Sequence, residues 1–220
     1  MKKIDFLEKL HNQSKRDYVA RVTDFDKAEC AIIAKQFGKA YWDGERQFGY
    51  GGYHYDGRWR AVSDAMTAYY SIKPGDRILD VGCGKGYLLY EFTQSVPGVN
   101  VSGIDISKYG IENSKAEIKN FVQVASCTKL PFEDNSFDFV VSLGTLHNLY
   151  NYELKKAIQE IERVGKRTKY ICVESYRNEH EKANLLYWQL TCETFYNPKE
   201  WHWALKEFGY SGDYGFIYFE

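Results

Sequence analysis

The sequence holds no Cys-x-x-Cys pair. Its five cysteines, Cys30, Cys83, Cys127, Cys172 and Cys192, are scattered and odd in number. Neither a zinc cluster nor a disulfide framework is expected, and a reducing compartment is the default. The histidines show no ligand spacing, so no metal site is expected. Charge of one sign is also missing. Lys and Arg number 29 against 30 Asp and Glu, a net charge of −1. That balance gives no electrostatic footprint for nucleic acid or an acidic membrane. No apolar run approaches the ~18 residues of a membrane span. The opening MKKIDFLEKLHNQSKRDY lacks the apolar stretch of a signal peptide. A soluble, cytoplasmic chain is expected, monomer or homodimer, with neither nucleic acid nor membrane as partner.

Aromatic residues are what the chain has in quantity, at 17% of the total. They crowd most densely into RQFGYGGYHYDGRW, residues 46–59. Aromatics at that density suit a core, whereas glycines at that density suit a mobile turn. The stretch is a packed plug or a lid.

The order of elements predicts the frame around it. Residues 2–20 carry Ile4, Leu7 and Leu10 at helical spacing. Asp24 is placed to cap a second helix reaching about Ala40. AVSDAMTAYYSI predicts a third, with Ser63 or Asp64 near its start. Beyond the turn KPGD, apolar strands alternate with helices: RILDVG, NVSGIDIS, FVQVA, FDFVVSL and KYICVES. That alternation predicts a doubly wound α/β core with a mostly parallel sheet covered on both faces. Helices are expected around 180–193 and from Pro198. The ending GDYGFIYFE is expected to complete a seven-stranded sheet through an antiparallel hairpin. The chain then divides into an N-terminal helical cap and lid, 1–70, and a Rossmann-like α/β domain, 71–220, with a helical insert at about 177–198.

ILDVGCGKG, residues 78–86, carries the most chemistry. Asp80 ends a strand, and Gly82, Gly84 and Gly86 turn the chain into a helix. Ligands of open α/β sheets bind outside the carboxyl ends of the strands, at the switch point. Glycine there lets a ligand approach the backbone closely. The next strand ends at Asp105, whose carboxylate can accept from both hydroxyls of a ribose. A dinucleotide would prefer G-x-G-x-x-G. An acid at position 80 suits a cationic amino group and is poorly placed beside a pyrophosphate.

The D-x-G-C-G-x-G form, with Asp105 and the later run LPFEDNSFD before the fourth strand, resembles the class I S-adenosylmethionine-dependent methyltransferases over roughly residues 72–176. The resemblance implies S-adenosyl-L-methionine as cofactor and S-adenosyl-L-homocysteine as product. It implies cofactor contacts from Asp80, Gly82, Cys83, Gly84 and Gly86, from Asp105 and Ile106, and from Leu143 and Gly144. Many members carry an acidic residue at the position of Ser126 or Cys127, against the adenine. Here a hydroxyl or backbone groups would serve. Two other readings stay open: a cofactor-binding, non-catalytic regulatory subunit, and an NAD-dependent oxidoreductase.

Methyl transfer needs an aligned nucleophile and, for a protonated one, a base. His147 follows the fourth strand, where the resemblance points the methyl, and its ordinary pKa near ~6.5 suits that task. It equally suits a helix cap. Asn148 lines the acceptor pocket or merely shapes the loop. Glu174, Ser175 and Tyr176 end the fifth strand at the same rim. Glu174 serves there as base, orienter or structural hydrogen-bonding group.

In this frame residues 46–59 precede the first strand, where methyltransferases vary their substrate range. They are expected to meet the aromatic insert as a roof that excludes water. Tyr50 and Tyr53 are expected at the reacting centre. Arg46, Arg58, His54 and Tyr176 are expected on the acceptor. Arginine's planar fork matches phosphate or carboxylate. A small anionic metabolite follows, phosphorylated, phosphoramidate, nucleotide-linked or carboxylated, methylated on O or N. The signature also resembles small bacterial methyltransferases of surface-polysaccharide and other secondary pathways.

Overall fold

The structure, a computed structural model, describes residues 1–11 and 16–220. Five helices come first: α1 (Glu8–His11), α2 (Ala20–Thr23), α3 (Lys27–Ala34), α4 (Lys39–Asp43) and α5 (Arg60–Tyr70). Alternation then begins with β1 (Arg77–Val81), α6 (Tyr87–Ser95), β2 (Asn100–Asp105), α7 (Lys108–Glu112) and β3 (Val122–Val124). It continues with β4 (Phe137–Leu143), α8 (Asn151–Val164), β5 (Gly165–Glu174), α9 (Glu179–Trp188), α10 (Pro198–Glu207) and β6 (Asp213–Ile217).

The six strands form one sheet in the order β3-β2-β1-β4-β5-β6, every pairing parallel. The chain steps outward from β1 to β3 and then returns to place β4 on the other side of β1. The switch point therefore lies between β1 and β4, where a crevice opens at the strand ends. Both sheet faces are covered, which is why the central strands read as continuous apolar runs. Leu154, Ala157, Ile158 and Ile161 of α8 recur at helical spacing and bury one stripe against Leu79, Val140 and Ile171. On the other face, Val62, Met66 and Tyr70 of α5 join Phe92 of α6, Ile78 and Phe139. Each such large side chain contributes roughly 1.5–3 kcal/mol by leaving water.

Several local expectations are corrected. The sheet has six strands rather than seven, and GDYGFIYFE forms no antiparallel hairpin. The link from β5 holds α9 and α10, a crossover long enough to return the chain parallel. The far edge of β6 is met by the N-terminal residues. Lys3 bridges Tyr214 in parallel, and Ile4 N–H donates to the Tyr214 carbonyl at 2.8 Å. Residues 2–7 are therefore not helical, and only Glu8–His11 of the first predicted helix forms before residues 12–15 of that prediction, which lie outside the described residues. The second helix is capped by Asp26, not Asp24. The Asp26 side chain accepts from the N–H groups of Ala28 and Glu29. It stops at Ala34, and Phe37 then takes a left-handed φ of +48°. The third begins at Arg60, before Ser63. The start at Pro198 holds: Asn197 and Glu200 form a capping box around it.

The cap and the insert meet. Cys30 and Ala34 of α3 pack on Leu190, with Tyr41 and Phe48 alongside. No helix among the described residues is long and apolar enough to cross a membrane.

Candidate functional site

β1 ends in a turn that only glycine can make. Gly82, Gly84 and Gly86 have φ of +87°, +54° and +74°. A Cβ on Gly82 would lie 2.0 Å from Thr145 Oγ1, and one on Gly84 would lie 2.8 Å from the Trp42 ring. The turn opens on a cavity of about 390 Å³ at the switch point. Gly82, Cys83, Gly84, Leu143 and Gly144 line it, as does Asp80. Asp80 is 4% exposed, and no donor among the described residues reaches its carboxylate. Burial, then the neighbouring Asp105 charge, raises its pKa to about 8. Such a group calls for a cation from outside the chain.

Asp105 is held from below. Its Oδ2 accepts Gly84 N–H and its Oδ1 accepts Ser107 N–H, each at 2.8 Å. Burial raises its pKa as well. Each oxygen keeps a lone pair for a further donor. The cavity wall does not include Asp105, Gly86, Ile106, Ser126 or Cys127. Trp42 stands over Gly84 and closes that side, its Nε1 donating to Ser107 Oγ at 2.8 Å. Ile106 is exposed, Cys127 is buried, and Ser126 pairs with Thr128 at 2.8 Å.

Residues 46–59 supply one aromatic wall of the cavity. Tyr50 stacks on Trp42 with centroids 5.2 Å apart, and Tyr53 lies 4.6 Å from Tyr50 and 5.1 Å from Tyr87. Both tyrosines line the cavity. Tyr53 O–H accepts from Trp59 Nε1 at 3.0 Å. Desolvation pushes both phenols above their ordinary value, so neither ionises near neutral pH. A single buried cation fastens this wall. Lys85 Nζ donates to both Asp43 oxygens and to the Tyr53 carbonyl. Asp43 also accepts Tyr109 O–H and Tyr53 N–H.

The expected acceptor residues divide. Arg46, His54 and Asn148 line the cavity, as does Arg58. The Arg58 guanidinium is committed to Asp56, through Nε at 2.8 and 2.9 Å and Nη2 at 2.5 Å. Tyr176 does not reach the cavity; it is buried against Leu185 and Phe219.

His147 reaches the cavity in an unexpected state. It is buried, and its Nδ1 accepts the backbone N–H of Glu174 at 3.3 Å. That bond consumes the ring's lone pair and places the proton on Nε2, 3.3 Å from Glu174 Oε2. Burial drops the imidazole pKa to about 3. Glu174 is buried beside it, with Gln189 donating to Oε1 and burial raising its pKa to about 8. Among the described residues Oε2 accepts no hydrogen bond; the His147 Nε2 edge stands beside it, and the Arg16 charge acts on the carboxylate as well.

Sequence reasoning missed Trp42, Asp43, Lys85, Arg21, Trp188 and Gln189. Lys85 stood inside the quoted glycine motif, and Asp43 just ahead of the aromatic stretch. Their pairing spans 42 residues of sequence, and no local pattern announces it. Among the described residues no group of three or more His, Cys, Asp and Glu side chains can hold a metal.

Known proteins share this frame. A family model described as a methyltransferase domain matches residues 72–209. One for protein-L-isoaspartate(D-aspartate) O-methyltransferase matches residues 2–130. The chain is 33% identical over 128 residues to a demethylmenaquinone methyltransferase of Symbiobacterium thermophilum, covering 54% of this chain and 50% of that one. It is 33% identical over 95 residues to the 27-O-demethylrifamycin SV methyltransferase of Amycolatopsis mediterranei, covering 40% and 35%. The chain thus spans about half or less of the length of these relatives. The YcgJ protein of Bacillus subtilis shares the fold with a TM-score of 0.55 at 21% identity, over 66% of each chain. A methyltransferase in complex with the Haloferax volcanii Trm112 methyltransferase activator does so with a TM-score of 0.54 at 24% identity, over 69% of this chain and 74% of that one. The chain belongs to the class I S-adenosylmethionine-dependent methyltransferases.

Proposed function

We propose that the protein methylates an oxygen or nitrogen of a small anionic metabolite, held between the aromatic cap and the ends of β4 and β5. The observation that carries the reading is Asp80, a cavity-lining carboxylate 4% exposed and without a donor among the described residues. The amino group of S-adenosylmethionine is the cation it fits. The glycine turn lets the ligand approach the backbone, and Asp105 keeps lone pairs for the ribose hydroxyls behind Trp42, which must shift to admit them. When bound, the cofactor supplies an electrophilic methyl group on a cationic sulfur.

The chain's own residues do the rest. Trp42, Tyr50 and Tyr53 wall the cavity and keep water from it. His147 is not the base in this reading, because its basic nitrogen is already engaged. Glu174 is the base. Its Oε2 takes the proton of an acceptor hydroxyl or amine, and Gln189 holds the carboxylate through Oε1, with the His147 ring alongside. The anionic class rests on arginines at the cavity wall, Arg46 among them. The acceptor classes kept are phosphorylated, phosphoramidate, nucleotide-linked and carboxylated molecules. A cytoplasmic enzyme, monomeric or homodimeric, is the accompanying proposal.

Calorimetry with S-adenosylhomocysteine tests the cofactor site. Binding in the micromolar range is expected, weakened about ten- to a hundredfold in Asp80→Asn by loss of a charge-assisted hydrogen bond. No binding at millimolar ligand would sink the reading. Release of S-adenosylhomocysteine across a panel of phosphorylated and carboxylated acceptors then tests turnover.

A further inference from the structure

We infer that Arg21 and Arg46, gathered over Trp188, form a seat for the acceptor's carboxylate or phosphate group. This rests on the methyltransferase reading above and identifies the part of the site that selects the acceptor.

Both guanidinium carbons lie 5.1 Å from the Trp188 ring centroid, and all three residues line the cavity. Among the described residues their hydrogen bonds go only to backbone carbonyls. Arg21 donates to Trp188 at 3.3 Å and to Arg46 at 2.7 Å, and Arg46 donates to Gly49 at 2.6 Å. Other arginines of this chain are neutralised. Arg58, Arg163, Arg167 and Arg177 each pair with a carboxylate. Arg21 and Arg46 have no carboxylate within 4.0 Å among the described residues. Desolvation, then the Arg46 charge, lowers the pKa of Arg21; desolvation, then the charge of Arg16 over the same Trp188 ring, lowers that of Arg46. Two such cations at a cavity wall with donors to spare are complementary to an anion, and the planar fork matches carboxylate or phosphate. The Trp188 ring fixes both forks at small entropic cost.

The anion has two possible sources, the acceptor or the cofactor's own carboxylate. Topology favours the acceptor. Trp188 ends α9 and precedes Gln189, which holds Glu174 at the end of β5. Asp80 lies on β1, and β4 separates the two strands. At ~4.8 Å per strand β1 and β5 run about 10 Å apart. The arginines thus belong to the proton-accepting side of the cavity, away from the glycine turn. They also span two chain segments, Arg21 and Arg46 from the cap and Trp188 from the insert. The seat exists only while the cap is docked, so acceptor binding favours the closed cap.

Inorganic phosphate, added to protein saturated with S-adenosylhomocysteine, is the probe. Calorimetry and the arginine Nε–H NMR signals report its binding. Millimolar phosphate binding is expected, weakened about tenfold or more in Arg21→Gln/Arg46→Gln, with S-adenosylhomocysteine affinity unchanged within about twofold. Arg46→Lys, which keeps the charge and loses the fork, should lie between. Unchanged phosphate affinity in the double variant overturns the inference. So does a double variant that loses S-adenosylhomocysteine affinity instead, which would assign the arginines to the cofactor. Failure of wild-type protein to bind S-adenosylhomocysteine would sink the methyltransferase reading. The same phosphate titration without that ligand would still decide whether the arginines hold an anion.

Discussion

Lys85 Nζ stands 2.7 Å from both carboxylate oxygens of Asp43, an ion pair of a buried ammonium and a half-buried carboxylate that joins the glycine turn to α4. Burial alone would raise the Asp43 pKa. The hydrogen bonds from Lys85, Tyr53 and Tyr109 outweigh it and hold the carboxyl below its ordinary value. Asp43→Ala strands a buried ammonium, and such losses cost about 3–5 kcal/mol. Chemical denaturation should show that loss. Lys85→Met/Asp43→Leu should recover part of it, because no unpaired charge remains. Both variants should also bind S-adenosylhomocysteine more weakly, since the cap is no longer fastened. Equal stability of Asp43→Ala and wild type would show that the pair holds nothing.

Glu174→Gln should keep S-adenosylhomocysteine affinity and lower turnover of any acceptor found by about a hundredfold or more, the range of general-base catalysis. His147→Asn should lower it less and shift the pH profile. In wild type, turnover should rise with pH through about 8, because burial raises the Glu174 pKa to that value and only the ionised form accepts a proton. A Glu174→Gln enzyme that keeps wild-type kcat would remove Glu174 from the base role.

Stability should depend on pH through the same groups. Burial and Asp105 raise Asp80 from 3.8 to about 8, and burial raises Glu174 from 4.5 to about 8. Between those values the folded chain holds protons that the unfolded chain has released. Stability therefore falls as pH rises toward 8. Burial lowers His147 from 6.5 to about 3 and His11 from 6.5 to about 4, which gives the opposite slope below 6.5. The carboxylate slope stands alone from 6.5 to 8. The Tm of the ligand-free protein should fall across that window. S-adenosylhomocysteine should stabilise more as pH rises, because its ammonium meets an ionised Asp80. In Asp80→Asn that growth should vanish, as a thermal scan at several pH values will show.

Gly82→Ala and Gly144→Ala separate crowding from backbone strain. Both glycines have positive φ, +87° and +67°. A Cβ at Gly144 meets nothing within 4 Å, whereas at Gly82 it meets Thr145 Oγ1 at 2.0 Å. Gly144→Ala should lose about 1 kcal/mol from strain alone, and Gly82→Ala about 3 kcal/mol or more. Equal losses in denaturant would mean that Thr145 yields freely.

Much of the core was legible because its signals are local. The apolar runs of β1, β4 and β5, the glycine turn and the helix start at Pro198 each sit within a few consecutive residues. The N-terminal expectation failed for the complementary reason. Ile4, Leu7 and Leu10 have helical spacing, yet Lys2 to Ile4 lie beside Tyr214 on the edge of β6. That contact spans nearly the whole chain and outweighs a weak helical tendency. At the site, His147 showed the same limit. Its position at the rim was readable, but its engaged nitrogen depends on the backbone of Glu174.

The sequence by itself determined the α/β alternation and the glycine turn with Asp80 and Asp105, and hence where a cofactor site was to be expected, at the end of β1. Those features follow from periodicity and backbone freedom, which act over short stretches. Only the tertiary structure decided what faces that site. It folded RQFGYGGYHYDGRW down as an aromatic wall, tied Arg58 to Asp56, and left Arg21 and Arg46 over Trp188 without carboxylate partners. It also engaged His147 Nδ1 with the Glu174 backbone and set the Glu174 carboxylate beside the imidazole. Partners of this kind lie far apart in the chain. Charge pairing and burial select among them only once the fold has brought them together.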